Sequence, residues 1–422
     1  MKYKKIHCIG IGGIGLSAIA RFYKNEGASV SGSDASESPL IEKLREEGMI
    51  VTLGENAESV PNDIDLLIYT IAIQSDNKEL LKAHKMGVKI LSYPEALGEL
   101  TLSKKTIAIA GTHGKTTTTA MVYKALKACG INPTVIVGSL VNDDQGGFTN
   151  FIKGDSEYLV IESCEYKRSF LNYNPSIVLI TNIDADHLDY YKDIGDITSA
   201  FQEFADKLPE NGFLIAHQEG LNKINFKNKI LADIYKEEEI NLSVPGAHNR
   251  KNAQLVLALG FILKLDEDKV REGLLSFTGT WRRQEYKGEF LGSVFYDDYA
   301  HHPTEVKATL AAFRERFPDK KIIAIFMPHL YSRTKMLFDD FASSFSDSDE
   351  ICILPIYAAR EKFDPTIDST MLVEAIKNEG KICEYVSDFK RLETLIKEKA
   401  DKDTVFVTLG AGDIYKIYDY LK

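Results

Sequence analysis

Short apolar runs alternate with amphipathic stretches along the whole chain. KIHCIGI opens the series, LSAIARFYKNEG follows as an amphipathic segment stopped by Gly27, and ASVSGSD returns to a strand pattern. SPLIEKLREEGM is helical again, and IDLLIYTIAI is apolar enough for a buried strand. Apolar runs of this length bounded by turn residues read as strands, and three-to-four-residue spacing reads as helix. Their alternation predicts a parallel, doubly wound sheet.

The rhythm restarts twice. KTIAIAGTHGKTTTTAMVYKALKACG gives strand, loop and helix, with Gly130 as the stop signal. EYLVIES and SIVLITNI continue as strands, and PGAHNRKNAQLVLALGFIL reads as a loop feeding an apolar helix. After SFTGTWRRQEYKGEF come SVFYDDYA, KIIAIFMP, EICILPIY and TVFVTLGAG, each separated by helical patterns. The expected organisation is three α/β domains in series, at 1–103, 104–279 and 280–422.

Length agrees, since 422 residues correspond to two or three domains. A net charge of −11 argues against non-specific binding to nucleic acid or to an anionic membrane. It leaves room for a local basic cluster that takes an anionic substrate. The five cysteines, Cys8, Cys129, Cys164, Cys352 and Cys383, form no CxxC pair, so neither a disulfide framework nor a zinc site is indicated. Reduced thiols imply a cytoplasmic protein. The N-terminus is basic and then apolar, but four glycines and His7 interrupt it, and it reads as a strand and turn. No run reaches the ~18–20 apolar residues of a membrane-spanning helix.

Two glycine loops carry candidate chemistry. In CIGIGGIGLSAIA, Gly10, Gly12 and Gly15 fit G-x-G-x-x-G between a strand and a helix, with Gly13 inside the loop. Ser33 and Asp34 close the next strand, with Asp34 nineteen residues past Gly15. This is the dinucleotide fingerprint with its acidic ribose contact. Its mechanism is generic: glycines let the backbone approach a diphosphate, and the helix N-terminus offers N–H groups. It suits UDP as well as NAD.

The second loop departs from the full phosphate-loop pattern, because Ile109 stands where a glycine belongs, five positions before Gly114. What stands is Gly111, Thr112, His113, Gly114, Lys115, Thr116 and Thr117, directly after TIAIA. Backbone N–H groups cradle phosphate oxygens, Lys115 neutralises β/γ charge, and a threonine hydroxyl can hold Mg²⁺. A triphosphate needs a metal with oxygen ligands. Glu162 of VIESCEY ends a strand, and TNIDADHLDYY sets Asp184, Asp186, His187 and Asp189 just past another. Glu162 is the leading metal ligand, and His187 is either a second ligand or a hydrogen-bonded neighbour of the acids.

These segments, in this order, resemble the Mur ligases of peptidoglycan synthesis. The landmarks are GIGGIG, GTHGKTTTT, ESCEYKRSFL, TNIDADHLDYY, GAHNRKNA, WRRQEYKGE, DDYAHHPTEV, PHLYSRT and GAGDI, which span essentially the whole chain. The resemblance implies a Rossmann-like domain binding the UDP-sugar, a central ATP-binding domain of phosphate-loop type, and a Rossmann-like C-terminal domain. It assigns the first loop to UDP and the second to ATP. The implied reaction joins L-alanine to the lactyl carboxylate of UDP-N-acetylmuramate. The carboxylate attacks the γ-phosphorus of ATP, giving an acyl phosphate and ADP, and the neutral amine then displaces phosphate. Both partners of the first step are anionic, so charge neutralisation carries the catalysis.

Carried over residue by residue, the resemblance implies that Lys115 and two Mg²⁺ ions supply that neutralisation. Thr116 and Glu162 resemble ligands of one ion, and Glu162 with His187 those of the other. His248, Asn249 and Asn252 look like part of the adenine pocket, Asp298 like the ribose contact, and Arg282 like a linker cation that closure carries towards the phosphates. Tyr299, His301 and His302 resemble a cluster lining the reaction centre, where a neutral histidine could accept the amine proton. Arg333, with His329, resembles the holder of the amino-acid carboxylate. The chain departs from the family pattern in three places. Leu330 stands where some members have arginine, ESCEYK replaces EADESD with Glu162 and Glu165 kept, and Thr70 and Ile71 replace a pair of serines. A recycling ligase that joins a whole peptide to the same UDP-sugar shares several motifs. An NAD-dependent dehydrogenase would leave Lys115, Glu162 and the third domain unexplained, and a non-catalytic ATP-binding module would leave the Lys115, Glu162 and His187 set without a purpose.

Overall fold

The first sheet forms from β1 (Lys5–Ile9), β2 (Ser29–Asp34), β3 (Ile50–Leu53), β4 (Leu66–Tyr69) and β5 (Lys89–Ser92). All are parallel, in the order β3-β2-β1-β4-β5. The chain reverses its winding direction at β1, so the loop after β1 sits at the switch point, where open α/β sheets bind ligands. The helix Ile14–Asn25 follows that loop and ends before Gly27, whose φ of 93° suits glycine. A computed structural model of the chain describes residues 2–143, 147–359 and 361–421.

The second sheet contains β6 (Lys105–Ala110), β7 (Thr134–Asn142), β8 (Phe148–Ile152), β9 (Tyr158–Glu162), β10 (Ile177–Ile180), β11 (Phe213–Ala216) and β12 (Lys229–Leu231). Its order is β12-β11-β10-β6-β9-β7-β8. Here β6 lies between β10 and β9, and the second glycine loop leaves its C-terminal end. Within this sheet, among the described residues, only the β7–β8 pair is antiparallel. The sequence pattern does not announce this hairpin.

The third sheet contains β13 (Glu285–Phe290), β14 (Ser293–Asp298), β15 (Lys321–Phe326), β16 (Glu350–Ile353), β17 (Ile382–Tyr385) and β18 (Thr404–Leu409), in the order β13-β14-β18-β15-β16-β17. Side chains alternate across it, as strand geometry requires. Ala324, Phe326, Val405 and Val407 pack with Leu310, Phe313 and Phe341 on one face. Ile323, Ile325 and Phe406 pack with Leu392, Leu395 and Ile414 on the other. Burial on both faces explains the nearly unbroken apolar runs read from the sequence. Edge strand β13, the polar EYKGEF, pairs antiparallel with β14 and escapes that pattern.

The chain divides into two compact units. The first comprises 1–184, 193–236 and 253–274, and the second comprises 185–192, 237–252 and 275–422. Both N-terminal sheets lie in the first unit. There the helix Ile14–Asn25 meets the β7–β8 hairpin: the Asn150 amide donates to Ser17 Oγ at 2.7 Å, and Arg21 donates to Asn150 and to Glu47. The helix Tyr93–Thr101 joins the two sheets. Its Thr101 hydroxyl accepts from Asn174 N at 3.0 Å, which ties it to the segment after β9. Among the described residues no helix is long and apolar enough to cross a membrane.

Candidate active site

The first glycine loop is held by its neighbours' backbones. Gly10, at φ 79°, and Ile11 donate their N–H groups to Ser33 O at 2.8 and 3.0 Å. Gly12 N donates to Asp34 Oδ2 at 2.8 Å, and Ala35 N donates to Asp34 Oδ1 at 2.8 Å. Gly13 caps the helix Ile14–Asn25 without a side-chain hydrogen bond, which leaves that N-terminus suited to an anion. The carboxylate of Asp34 therefore shapes the loop. The Ser33 hydroxyl turns inward and donates to Glu79 Oε2 at 2.7 Å. Glu79 is fully buried, bonds His7 Nε2 at 3.0 Å and accepts from Asn56 N at 3.1 Å. Sequence reading missed this support, because Glu79 lies far along the chain in an ordinary helical pattern.

The second loop follows the same logic with different donors. A Cβ at Gly111 would come within 2.0 Å of Thr181 Oγ1, so only glycine fits there. Thr112 and His113 are fastened to the end of β10. Asp184 N donates to Thr112 Oγ1 at 2.9 Å, His113 N donates to Asn182 Oδ1 at 2.9 Å, and His113 Nε2 lies 3.1 Å from Asp184 Oδ2. Gly114, at φ 82°, begins the helix Lys115–Ala128. Thr117 is buried in its first turn.

Lys115 folds back over the loop, where its ammonium donates to Gly111 O, Thr112 O and Glu165 Oε2. Burial opposes its charge, but Glu165 and the neighbouring acids outweigh it and raise the lysine above its ordinary value. Thr116 Oγ1 donates to Glu162 Oε2 at 2.9 Å, and Gly138 N donates to the same oxygen at 3.1 Å. The Thr116 hydroxyl and Glu162 carboxylate thus converge beside the loop as an all-oxygen donor set, which suits magnesium.

In the second unit, Asp298 ends β14 and accepts from Ala300 N and Gln284 N, both at 2.8 Å. Burial pushes its carboxyl up to about 6, against the pull of Arg283. Gln284 carries the network onward to Asn249 Nδ2 and His248 Nε2, each at 3.4 Å. Burial lowers His248 to about 4. The structure therefore brings His248, Asn249 and Asp298 into one cluster, with Asn252 buried in the same helix. Gln284 links them and was missed in the sequence.

Arg282 needs correction as a mobile cation. Its side chain is buried, with Nε 2.6 Å from Asp297 Oδ2 and the other nitrogens donating to the carbonyls of Gly410 and Gly412. It packs against Tyr299 and Tyr415, which makes it a brace for the C-terminal ends of β14 and β18. The adjacent Arg283 is only half-buried, stands over the Tyr299 ring and reaches Glu305.

His301 and His302 differ sharply. His302 caps the helix Pro303–Arg316, accepts from Thr304 N at 3.3 Å, and lies 3.2 Å from Ala185 O through Nε2. His301 Nδ1 lies 3.0 Å from Tyr299 O, and burial drives it down to about 3 despite the Glu305 carboxylate. Such a value keeps its imidazole neutral at neutral pH.

Arg333 lies on the helix Tyr331–Met336, placed by Leu330 in a left-handed conformation at φ 71°. A non-glycine residue there is strained. Leu330 is itself buried and contributes apolar surface at this position. Arg333 contacts His329 Nδ1 at 3.2 Å and donates to Asp186 Oδ1 at 3.0 Å. Burial opposes ionisation of Asp186, but Arg333, His187 and His301 hold its carboxyl well below the usual range. His187, at φ 55°, donates its N–H to the same carboxylate at 2.7 Å. A hollow lined by Asp186, His187, Leu330, Ser332, Arg333 and Met336 opens beside this pair.

Comparison with known proteins agrees with this anatomy. Residues 5–105 match the family model described as Mur ligase family, catalytic domain, 109–230 match the Mur ligase middle domain, and 282–412 match the Mur ligase, glutamate ligase domain. A UDP-N-acetylmuramate--L-alanine ligase of Clostridium acetobutylicum is 42% identical, over 98% of this chain and 96% of its own. One of Caldicellulosiruptor saccharolyticus is 40% identical, over 99% and 98%. The crystal structure of the UDP-N-acetylmuramate-alanine ligase of Thermotoga maritima superposes with a TM-score of 0.80 at 29% identity, over 99% of this chain and 98% of that one. A murein peptide ligase of Psychrobacter arcticus shares the fold, with a TM-score of 0.68 at 23% identity. With family models matching along its length and relatives similar from end to end, the chain belongs to the Mur ligase family.

Proposed function

We propose that this chain is an ATP-dependent ligase that joins L-alanine to the lactyl carboxylate of UDP-N-acetylmuramate, releasing ADP and phosphate, in the cytoplasmic synthesis of peptidoglycan precursor. The observation that carries the reading is the pairing of Thr116 with Glu162 beside a lysine-bearing glycine loop, in a unit that also contains a second, differently built glycine loop. One loop serves the nucleotide of the sugar and the other serves ATP. Similarity to the alanine ligases at 40–42% identity over nearly the full chain supports the choice of substrates.

The chain's own residues contribute mainly charge and position. Lys115 must leave Glu165 to meet phosphate oxygens, and its high affinity for protons keeps it cationic as it does so. Magnesium, when bound, offsets the charge of the phosphates as an anionic carboxylate approaches. Thr116 and Glu162 would hold it, and His187 is proposed as a further ligand. Asp298, His248 and Asn249 would seat the nucleoside of ATP, with Gln284 fixing their geometry. Arg333 would hold the carboxylate of alanine.

The test is phosphate release from ATP. Dependence on both UDP-N-acetylmuramate and L-alanine supports the reading. Stimulation by an L-alanyl peptide in place of L-alanine points to a recycling ligase instead, and reduction or oxidation of a nicotinamide cofactor rejects the assignment of the first loop.

A further inference from the structure

The proposed reaction sets a spatial demand within the first unit. The UDP-sugar is gripped by its diphosphate at the first glycine loop, yet its carboxylate must reach the second loop, beside Glu162. Tyr93 meets that demand. A Cβ added at Gly15 would lie 2.5 Å from Tyr93 Cζ and 2.8 Å from its hydroxyl oxygen, so the ring covers the start of the helix Ile14–Asn25. The third glycine of the first motif is therefore required by Tyr93, as well as by any ligand.

Tyr93 is also fixed with respect to the segment after β9. It is the first residue of the helix Tyr93–Thr101, whose start is locked by a capping box in which Ser92 N donates to Glu95 Oε2 at 2.7 Å. The other end of that helix is bonded to the segment after β9: a Cβ at Gly98 would strike Asn172 O at 2.3 Å, and Asn174 N donates to Thr101 Oγ1. The phenol is half-buried. Among the described residues its hydroxyl takes part in no hydrogen bond. Burial and the nearby Glu162 carboxylate both keep it protonated, so it stays a donor at physiological pH.

We propose that the Tyr93 hydroxyl is a binding contact for the UDP-linked substrate, donating to an anionic oxygen of that substrate between the first glycine loop and Glu162. The proposal rests on the function given above. A half-buried phenol without a partner, set on a glycine that begins an anion-suited helix, is satisfied by a substrate oxygen.

Tyr93→Phe removes the hydroxyl and keeps the ring on Gly15. Calorimetric binding of UDP-N-acetylmuramate to the parent and the variant is the test, with KM for ATP and the thermal midpoint measured alongside. The expected result is a roughly tenfold or greater rise in the Kd for the UDP-sugar, the scale of one hydrogen bond to a charged group, with KM for ATP and the midpoint unchanged. Binding within twofold of the parent overturns the proposal. A lower midpoint with ATP and UDP-sugar weakened equally also overturns it, since that assigns Tyr93 to the scaffold. Absence of binding by the parent chain overturns the functional reading together with the proposal.

Discussion

Lys115 Nζ lies 2.9 Å from Glu165 Oε2, so the cation proposed to meet phosphate is held by a carboxylate that is itself 2% exposed. The pair keeps a buried ammonium solvated by protein. The same arrangement sets a cost for breaking it. Removing one partner of a buried pair strands the other charge.

Lys115→Ala is therefore expected to lose turnover by about 10²–10³-fold, the scale of one stabilising donor at a developing charge, and also to lower the thermal midpoint. The double variant Lys115→Ala, Glu165→Gln is expected to recover much of the stability and none of the activity. A double-mutant cycle in urea, run beside the ligation assay, separates the two effects. Additive stability losses would show that the ion pair is not coupled.

Glu162 and Thr116 make a prediction about metal dependence. Thr116 Oγ1 and Glu162 Oε2 are already within hydrogen-bonding distance, at 2.9 Å. Glu162→Gln keeps the shape and loses the charge, so the Mg²⁺ concentration for half-maximal rate is expected to rise at least tenfold. Thr116→Ser is expected to leave it near the parent value. Titration of the rate with Mg²⁺ at saturating ATP distinguishes them, and an unchanged midpoint for Glu162→Gln would remove this acid from the metal site.

Much of this was legible in the sequence. Gly10 and Gly111 could be read because positive φ and close approach demand glycine, and local residue identity carries that information. The strands of the third sheet could be read because burial on two faces makes them apolar throughout. What escaped depends on contacts distant in sequence. Two adjacent arginines in WRRQ look alike, and only the packing of Tyr299 and Tyr415 and the carbonyls of Gly410 and Gly412 decides that Arg282 faces inward. Glu79 lies in an ordinary helical stretch, and its contact with Ser33 exists only once the first sheet has formed.

Asp298 yields a prediction in pH. Its carboxyl is raised to about 6 by burial, with Arg283 opposing and Glu305 adding to the rise. Between its unfolded value near 4 and its folded value, the native state holds a proton that the unfolded state has lost. Its contribution to stability is therefore largest at low pH and falls as pH rises towards 6. Asp298→Asn removes this dependence. In urea unfolding, the parent is expected to lose about 1 kcal/mol more than the variant between pH 5 and 7. Parallel curves for the two proteins would show that Asp298 ionises normally.

His301 reverses the sign. Burial lowers it to about 3, while Glu305 and Asp186 favour its charge and Arg333 opposes it. Its contribution to stability is fully present above its unfolded value of about 6.5 and is lost as pH falls towards 3. In catalysis, a histidine with so low a value is neutral throughout the working range and titrates outside it. His301→Gln is therefore expected to slow the single-turnover rate without moving either limb of the pH–rate profile between pH 5.5 and 9, a range set about the ordinary imidazole value. Loss of an acidic limb in that variant would show instead that His301 accepts the amine proton, and that its pKa rises when the substrates surround it.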